Sequence, residues 1–154
     1  MKMTYLIAAA AGLVLGGVIV ATETSAGPAE SVKYRQTVMK GIGAHMGAIS
    51  MVMKGEVALG APHVAANAEG IEASAKLIAD AFKEKTGDAG PTSAKANIWT
   101  DWQSFADKAK TLETESAKLV NIAKKGDMTA IGAQVKAVGD ACGGCHETFR
   151  EKKN

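Results

Sequence analysis

The chain has 154 residues, with 18 Lys and Arg against 16 Asp and Glu and a formal net charge of +2. No polybasic run or aromatic–basic interleaving is present, which speaks against a nucleic-acid interface and against an electrostatic membrane surface. Aromatic residues make up 5% and β-branched residues are sparse, while Ala, Lys, Glu and Met are plentiful, so local propensity favours helix throughout.

From the N-terminus, Met1 to Tyr5 is a short basic stretch, and Leu6 to Val20 is uncharged and rich in Ala, Leu, Val and Gly. That run falls short of the ~20 residues of a spanning helix and is followed by small residues. Residues 1–26 are therefore expected to be a signal peptide, cleaved after Ala21 or Ala26, with an uncleaved anchor as the alternative. Export implies a periplasmic address. Residues 27–154 then form one domain of about 125–130 residues, enough for a single core and too few for two.

Four stretches of this domain carry apolar residues at alternating spacings of three and four. The first runs Val32, Arg35, Met39, Ile42, Met46, Ile49 and Met53, and the second Val64, Ala68, Ile71, Ala75, Ile78 and Phe82. The third runs from Ile98 through Trp102, Phe105, Ala109, Leu112, Ser116 and Leu119 to Ala123. The fourth comprises Ile131, Val135, Val138, Cys142, Cys145 and Phe149. Each predicts a helix with one buried seam. Pro28 and Pro62 suit first helical turns, Thr92 or Ser93 can cap the third helix, Gly126 can close it, and Asp127 can cap the fourth. Short connections make neighbouring helices antiparallel. The expected fold is all-α, an up-down-up-down four-helix bundle.

The last helix ends in Cys142-Gly143-Gly144-Cys145-His146, and these two cysteines are all that the chain contains. Cys-x-x-Cys-His is the attachment signature of a c-type haem: two thiols add to the two vinyl groups, and the adjacent imidazole becomes an axial ligand of the iron. A thioredoxin-like motif would need a βαβ setting, a zinc site would need a fourth ligand nearby, and a disulfide across three helical positions would be strained. The expectation is one haem c per chain, held near one end of the bundle.

The other face of the iron separates the possible functions. A thioether there makes a six-coordinate electron shuttle, whereas an apolar residue leaves an open face for a small gas. Helix one runs antiparallel to helix four, so its N-terminal half faces the haem. Met39, Met46 and Met53 share its seam at heptad spacing, each step moving ~10.5 Å along the helix. Met39 alone is expected at the level of the iron, while His45 points elsewhere and His63 is expected to be solvated. Arg35 is a cation on the apolar seam and needs a partner, for which haem propionates are the leading candidate and solvent the alternative. Arg150, one turn after His146, suits either the proximal face or the helix C-terminus. Trp99 could cover the haem edge, fill an interface or pack in the core, and the Lys152-Lys153 end suits a solvated tail.

With Val32 to Gln36 on helix one, Ile98-Trp99 and Phe105 on helix three, and Cys142 to Arg150 at the end, the chain resembles the class II cytochromes c, the cytochrome c′ family. The resemblance implies thioether links at Cys142 and Cys145, His146 as proximal metal ligand and a propionate-side role for Arg35. The stretch Val38 to Ile49 and the Gly143-Gly144 pair look more like the family's low-spin branch, which carries a methionine ligand on helix one. The leading expectation is thus a periplasmic electron carrier with His146 and Met39 axial to the iron, serving redox partner proteins. The alternative is a five-coordinate protein that binds nitric oxide or carbon monoxide. Peroxidase chemistry is not expected, since no His/Arg pair faces His146. Related proteins also suggest a homodimer through the first two helices.

Overall fold

The computed structural model describes residues 27–87 and 89–152, so the expected signal peptide lies outside the described residues. Among the described residues there are six helices: α1 (Pro28–Met53), α2 (Ala61–Ala75), α3 (Ile78–Phe82), α4 (Asn97–Thr100), α5 (Trp102–Ala123) and α6 (Met128–Phe149). The long helices α1, α2, α5 and α6 form the antiparallel four-helix bundle. The second seam is divided by a turn at Lys76 and Leu77, and the third by Asp101, whose backbone sits at φ −124°, ψ 50°.

The helix ends follow from local chemistry. Pro28 and Glu30 occupy the first turn of α1, where a missing N–H is harmless and a carboxylate suits the helix dipole. The far end of α1 closes on Gly55 at φ +71°, with Gly55 N–H donating to Val52 O at 3.1 Å and Glu56 N–H to Met51 O at 3.0 Å. That pair of bonds is a Schellman closure, and the left-handed glycine makes it possible. Gly126, at φ +81°, similarly turns the chain from α5 into α6. Asp127 caps α6 as expected, its Oδ1 accepting from Thr129 N–H at 2.9 Å and Ala130 N–H at 3.1 Å. Thr92 instead closes a local turn by accepting from Ala94 N–H, and the next helix begins only at Asn97.

The most deeply buried part of the core is aliphatic: Ile49, Val64, Ile71, Leu119, Ile131 and Val138 are fully buried. Each such side chain contributes roughly 1.5–3 kcal/mol relative to exposure. Buried Ser116 satisfies its hydroxyl by donating to Leu112 O at 2.7 Å. Three sides of the bundle, α1–α2, α2–α5 and α5–α6, pack closely. The fourth side, between α1 and α6, makes little contact. The functional cavities lie on that side.

Candidate haem site

Two cavities, of about 650 Å³ and 510 Å³, lie along the α1–α6 side of the bundle. Both fall within the range of small-molecule and cofactor sites. Met39 and Gly43 from α1 and Cys145 and His146 from α6 line both of them. Cys142 faces only the larger, which is walled chiefly by apolar side chains including Ile42, Met46, Leu112 and Val135. The smaller has a polar rim of Gln36, Lys40, Thr92, Ser93 and Arg150.

The register between α1 and α6 can be read from two glycines. A Cβ on Gly132 would stand 3.6 Å from Met53 Cε, and one on Gly139 would stand 4.0 Å from Met46 Cε. Stepping one heptad further, back along α1 and forward along α6, brings Met39 to the level of His146. Met46 and Met53 also line the larger cavity, which therefore reaches further along α1 than the sequence suggested.

The residues present fit a haem. Two half-buried thiols, three positions apart on one helix, stand beside an imidazole, and all three side chains border an apolar gap between helices. Across that gap Gly43 and Gly47 leave open space, since a Cβ on either would meet nothing within 4 Å. A flat group can thus lie close to the α1 backbone. Burial pushes both thiols up, with the Lys108 ammonium working against this at Cys145. Burial pushes the His146 imidazole down and the Arg150 guanidinium adds to the shift, favouring the neutral form that can bind a metal.

Arg35 has a different setting from the one expected. It is 3% exposed, and its guanidinium is engaged by the protein itself. Nε donates to Ala81 O at 2.6 Å, Nη1 to Thr86 Oγ1 at 2.9 Å, and Nη2 to Glu84 O. Its carbon centre lies 5.1 Å from the Phe82 ring centroid and 5.4 Å from that of Trp99. Burial pushes its pKa down, partly opposed by Glu84. The guanidinium thus has protein partners that the sequence did not reveal and is withdrawn from solvent, while Arg35 still borders the smaller cavity.

Trp99 belongs to the same cluster, donating from Nε1 to Phe82 O at 2.8 Å, and lines neither of these two cavities. His45 turns towards α2, where its Nδ1 lies 3.0 Å from Asn67 Oδ1, and His63 is exposed. The sequence reading missed Lys108 and the Gly43/Gly47 pair. The glycines were detectable, because they sit four and eight residues after Met39 on one helix face.

The fold and the site together define a haem c protein built on a helical bundle. Residues 30–150 match the family described as Cytochrome C'. The chain belongs to the cytochrome c′ family, whose haem c is covalently attached. It is 39% identical over 127 residues to cytochrome c′ of Pararhodospirillum photometricum, covering 82% of this chain and 100% of that one. It is also 35% identical over 125 residues to cytochrome c-556 of Agrobacterium tumefaciens (strain B2A), covering 81% and 100%. Among solved structures, a ferrous variant of cytochrome c prime from Alcaligenes xylosoxidans with bound NO matches with a TM-score of 0.75. It is 31% identical to this chain, covering 84% of it and 99% of the other.

Proposed function

We propose that this chain is an exported periplasmic haem c protein that takes a diatomic gas of the nitric oxide class on the face of the iron opposite His146. Cys142 and Cys145 supply the two thioether anchors and His146 the axial nitrogen. The observation that carries this reading is the α1 wall at the level of His146, formed by Met39, Ile42 and Gly43. That wall is uncharged and leaves open space beside Gly43, which suits a small neutral ligand. The NO complex of the Alcaligenes relative supports it. The larger apolar cavity suits the vinyl edge of the macrocycle, beside Cys142, and the polar rim of the smaller suits its propionate edge.

The test is a set of absorption spectra of the purified holoprotein. The ferric form is expected to be high-spin, and the ferrous form to take up carbon monoxide and nitric oxide rapidly. Low-spin spectra in both oxidation states, with no gas uptake, would reject this reading.

The Met39–His146 register favours a second one. Met39 Sδ as sixth ligand would make the chain a His146/Met39 electron carrier for periplasmic redox partners, with a raised reduction potential. Both readings include cleavage of the signal peptide within residues 1–26, after Ala21 or Ala26.

A further inference from the structure

The α4 region caps the helix end that carries His146. The last carbonyls of an α-helix have no partner within the helix. Here Lys95 N–H donates to Phe149 O at 3.0 Å, Asn97 Nδ2 to Thr148 O at 3.2 Å and Lys95 Nζ to Glu147 O at 3.4 Å. Glu151 N–H returns the contact by donating to Ser93 O at 2.7 Å. Three successive carbonyls immediately after His146 are thus held by residues 95 and 97.

The segments on either side of those capping residues are in turn contacted from α1. The Arg35 guanidinium lies against Trp99, two residues after Asn97, and its N–H groups fix Ala81, Glu84 and Thr86. The neighbouring Gln36 donates from Nε2 to Pro91 O at 2.8 Å. A packing route runs in parallel: Arg35 lies over Phe82, Phe82 meets Phe105 at 5.1 Å between centroids, and Phe105 meets Phe149 edge-on at 5.4 Å.

We propose that Arg35 is a positioning residue for the axial imidazole, latching α1 to the α3–α4 region that caps the helix end bearing His146. Three of its five N–H donors are spent on this latch. Without it the Ala81 and Glu84 carbonyls lose a buried donor, Trp99 loses its cationic neighbour, and the cap on the last turn of α6 loosens. The proposal rests on His146 as axial ligand and holds whether a gas or Met39 takes the other face.

The experiment compares holoprotein variants Arg35→Met, Arg35→Lys and Thr86→Val by amide hydrogen exchange and by reduction potential measured across pH. Arg35→Met is expected to speed exchange at Lys95, Arg150 and Glu151 by roughly tenfold, and to change the Fe(II)/Fe(III) ratio at a fixed ambient potential. Arg35→Lys should recover part of both effects, and Thr86→Val, which removes one acceptor in a near-isosteric side chain, should give a smaller change in the same direction.

Unchanged exchange at those amides with an altered pH dependence of the potential would assign Arg35 to the propionates and overturn the latch. A lower melting temperature with exchange and potential both unchanged would make Arg35 a general stabiliser and overturn it equally. Should Arg35→Met fail to accumulate, Thr86→Val decides: wild-type exchange at Lys95 and Glu151 rejects the proposal. Failure of His146 ligation itself would be visible separately, in the wild-type spectrum.

Discussion

Met39 on α1 and His146 on α6 line the same two cavities from opposite walls, in the heptad register that sets Met46 against Gly139 and Met53 against Gly132. On the proposed gas-binding reading, a ligand approaching the iron from the side opposite His146 would meet the Met39 side chain. Met39→Ala is expected to leave the haem attached and to raise the rate of carbon monoxide uptake by the ferrous protein roughly tenfold, equivalent to about 1.4 kcal/mol of barrier. Flash photolysis measures it. A wild-type low-spin spectrum turned high-spin by the same substitution would make Met39 an axial ligand instead of a gate.

Gly43 lies where the two cavities meet, and a Cβ there would have nothing within 4 Å. That space is the room a macrocycle needs against α1. Gly43→Phe should fill it without disturbing the core, since the position is exposed in the helical bundle. The expected outcome is at least a severalfold loss of haem-loaded protein per polypeptide, scored by haem stain against total protein, with helical content retained. Normal loading would show that the haem does not approach α1 at this residue.

The four seams were legible because burial repeats with the helical period, and the same arithmetic brought Met39 to the haem end. The breaks at Lys76 and Asp101 were not, because apolar spacing runs through both without a change of phase: Ala75 to Ile78 is three and Ile98 to Trp102 is four. Periodicity reports which face is buried and is blind to a backbone that kinks while keeping that face. Arg35 marks a different limit. A cation on a seam signals a partner, but its acceptors lie 46 to 51 residues away, at the end of α3 and in the unpatterned connection that follows it. A covalent signature such as Cys142 to His146 is read from five adjacent residues, whereas a latch closed by backbone carbonyls leaves almost no trace in side-chain identity.

Glu115 makes stability depend on pH at a place outside the haem-site cavities. Its carboxylate accepts from Lys118 Nζ at 2.7 Å and from Gln134 Nε2 at 2.7 Å, and these bonds hold its pKa below the ordinary carboxylate range. A lowered folded-state pKa means the unfolded chain takes up the proton first on acidification. Its stabilisation is therefore present above about pH 4.3 and is lost as pH falls through the folded value. Glu115→Gln should accordingly flatten the decline in stability below that pH, followed by urea melts at pH 3, 5 and 7. Parallel declines in the two proteins would remove Glu115 from the account.

The contact between α1 and α2 depends on a missing side chain. A Cβ on Gly70 would stand 2.3 Å from His45 Nε2 and 2.5 Å from its Cε1, so the ring lies directly over the glycine. The ring cannot swing aside freely, because its Nδ1 is within 3.0 Å of Asn67 Oδ1, and Asn67 Nδ2 donates in turn to His63 O at 2.8 Å. Gly70→Ala must therefore break the His45–Asn67 pairing or push the two helices apart. The expected destabilisation is about 1–3 kcal/mol, the usual range for overpacking. It should lower the melting temperature by several degrees for a domain of this size. Better intrinsic helix propensity for alanine works in the opposite direction by about 1 kcal/mol, so the measured loss will be the remainder. Adding His45→Ala removes the obstacle and exposes that propensity gain, so Gly70→Ala should be neutral or stabilising in the His45→Ala background. Additive losses in the double mutant would mean that His45 yields without resistance and that the close approach of ring to backbone does not hold α1 against α2.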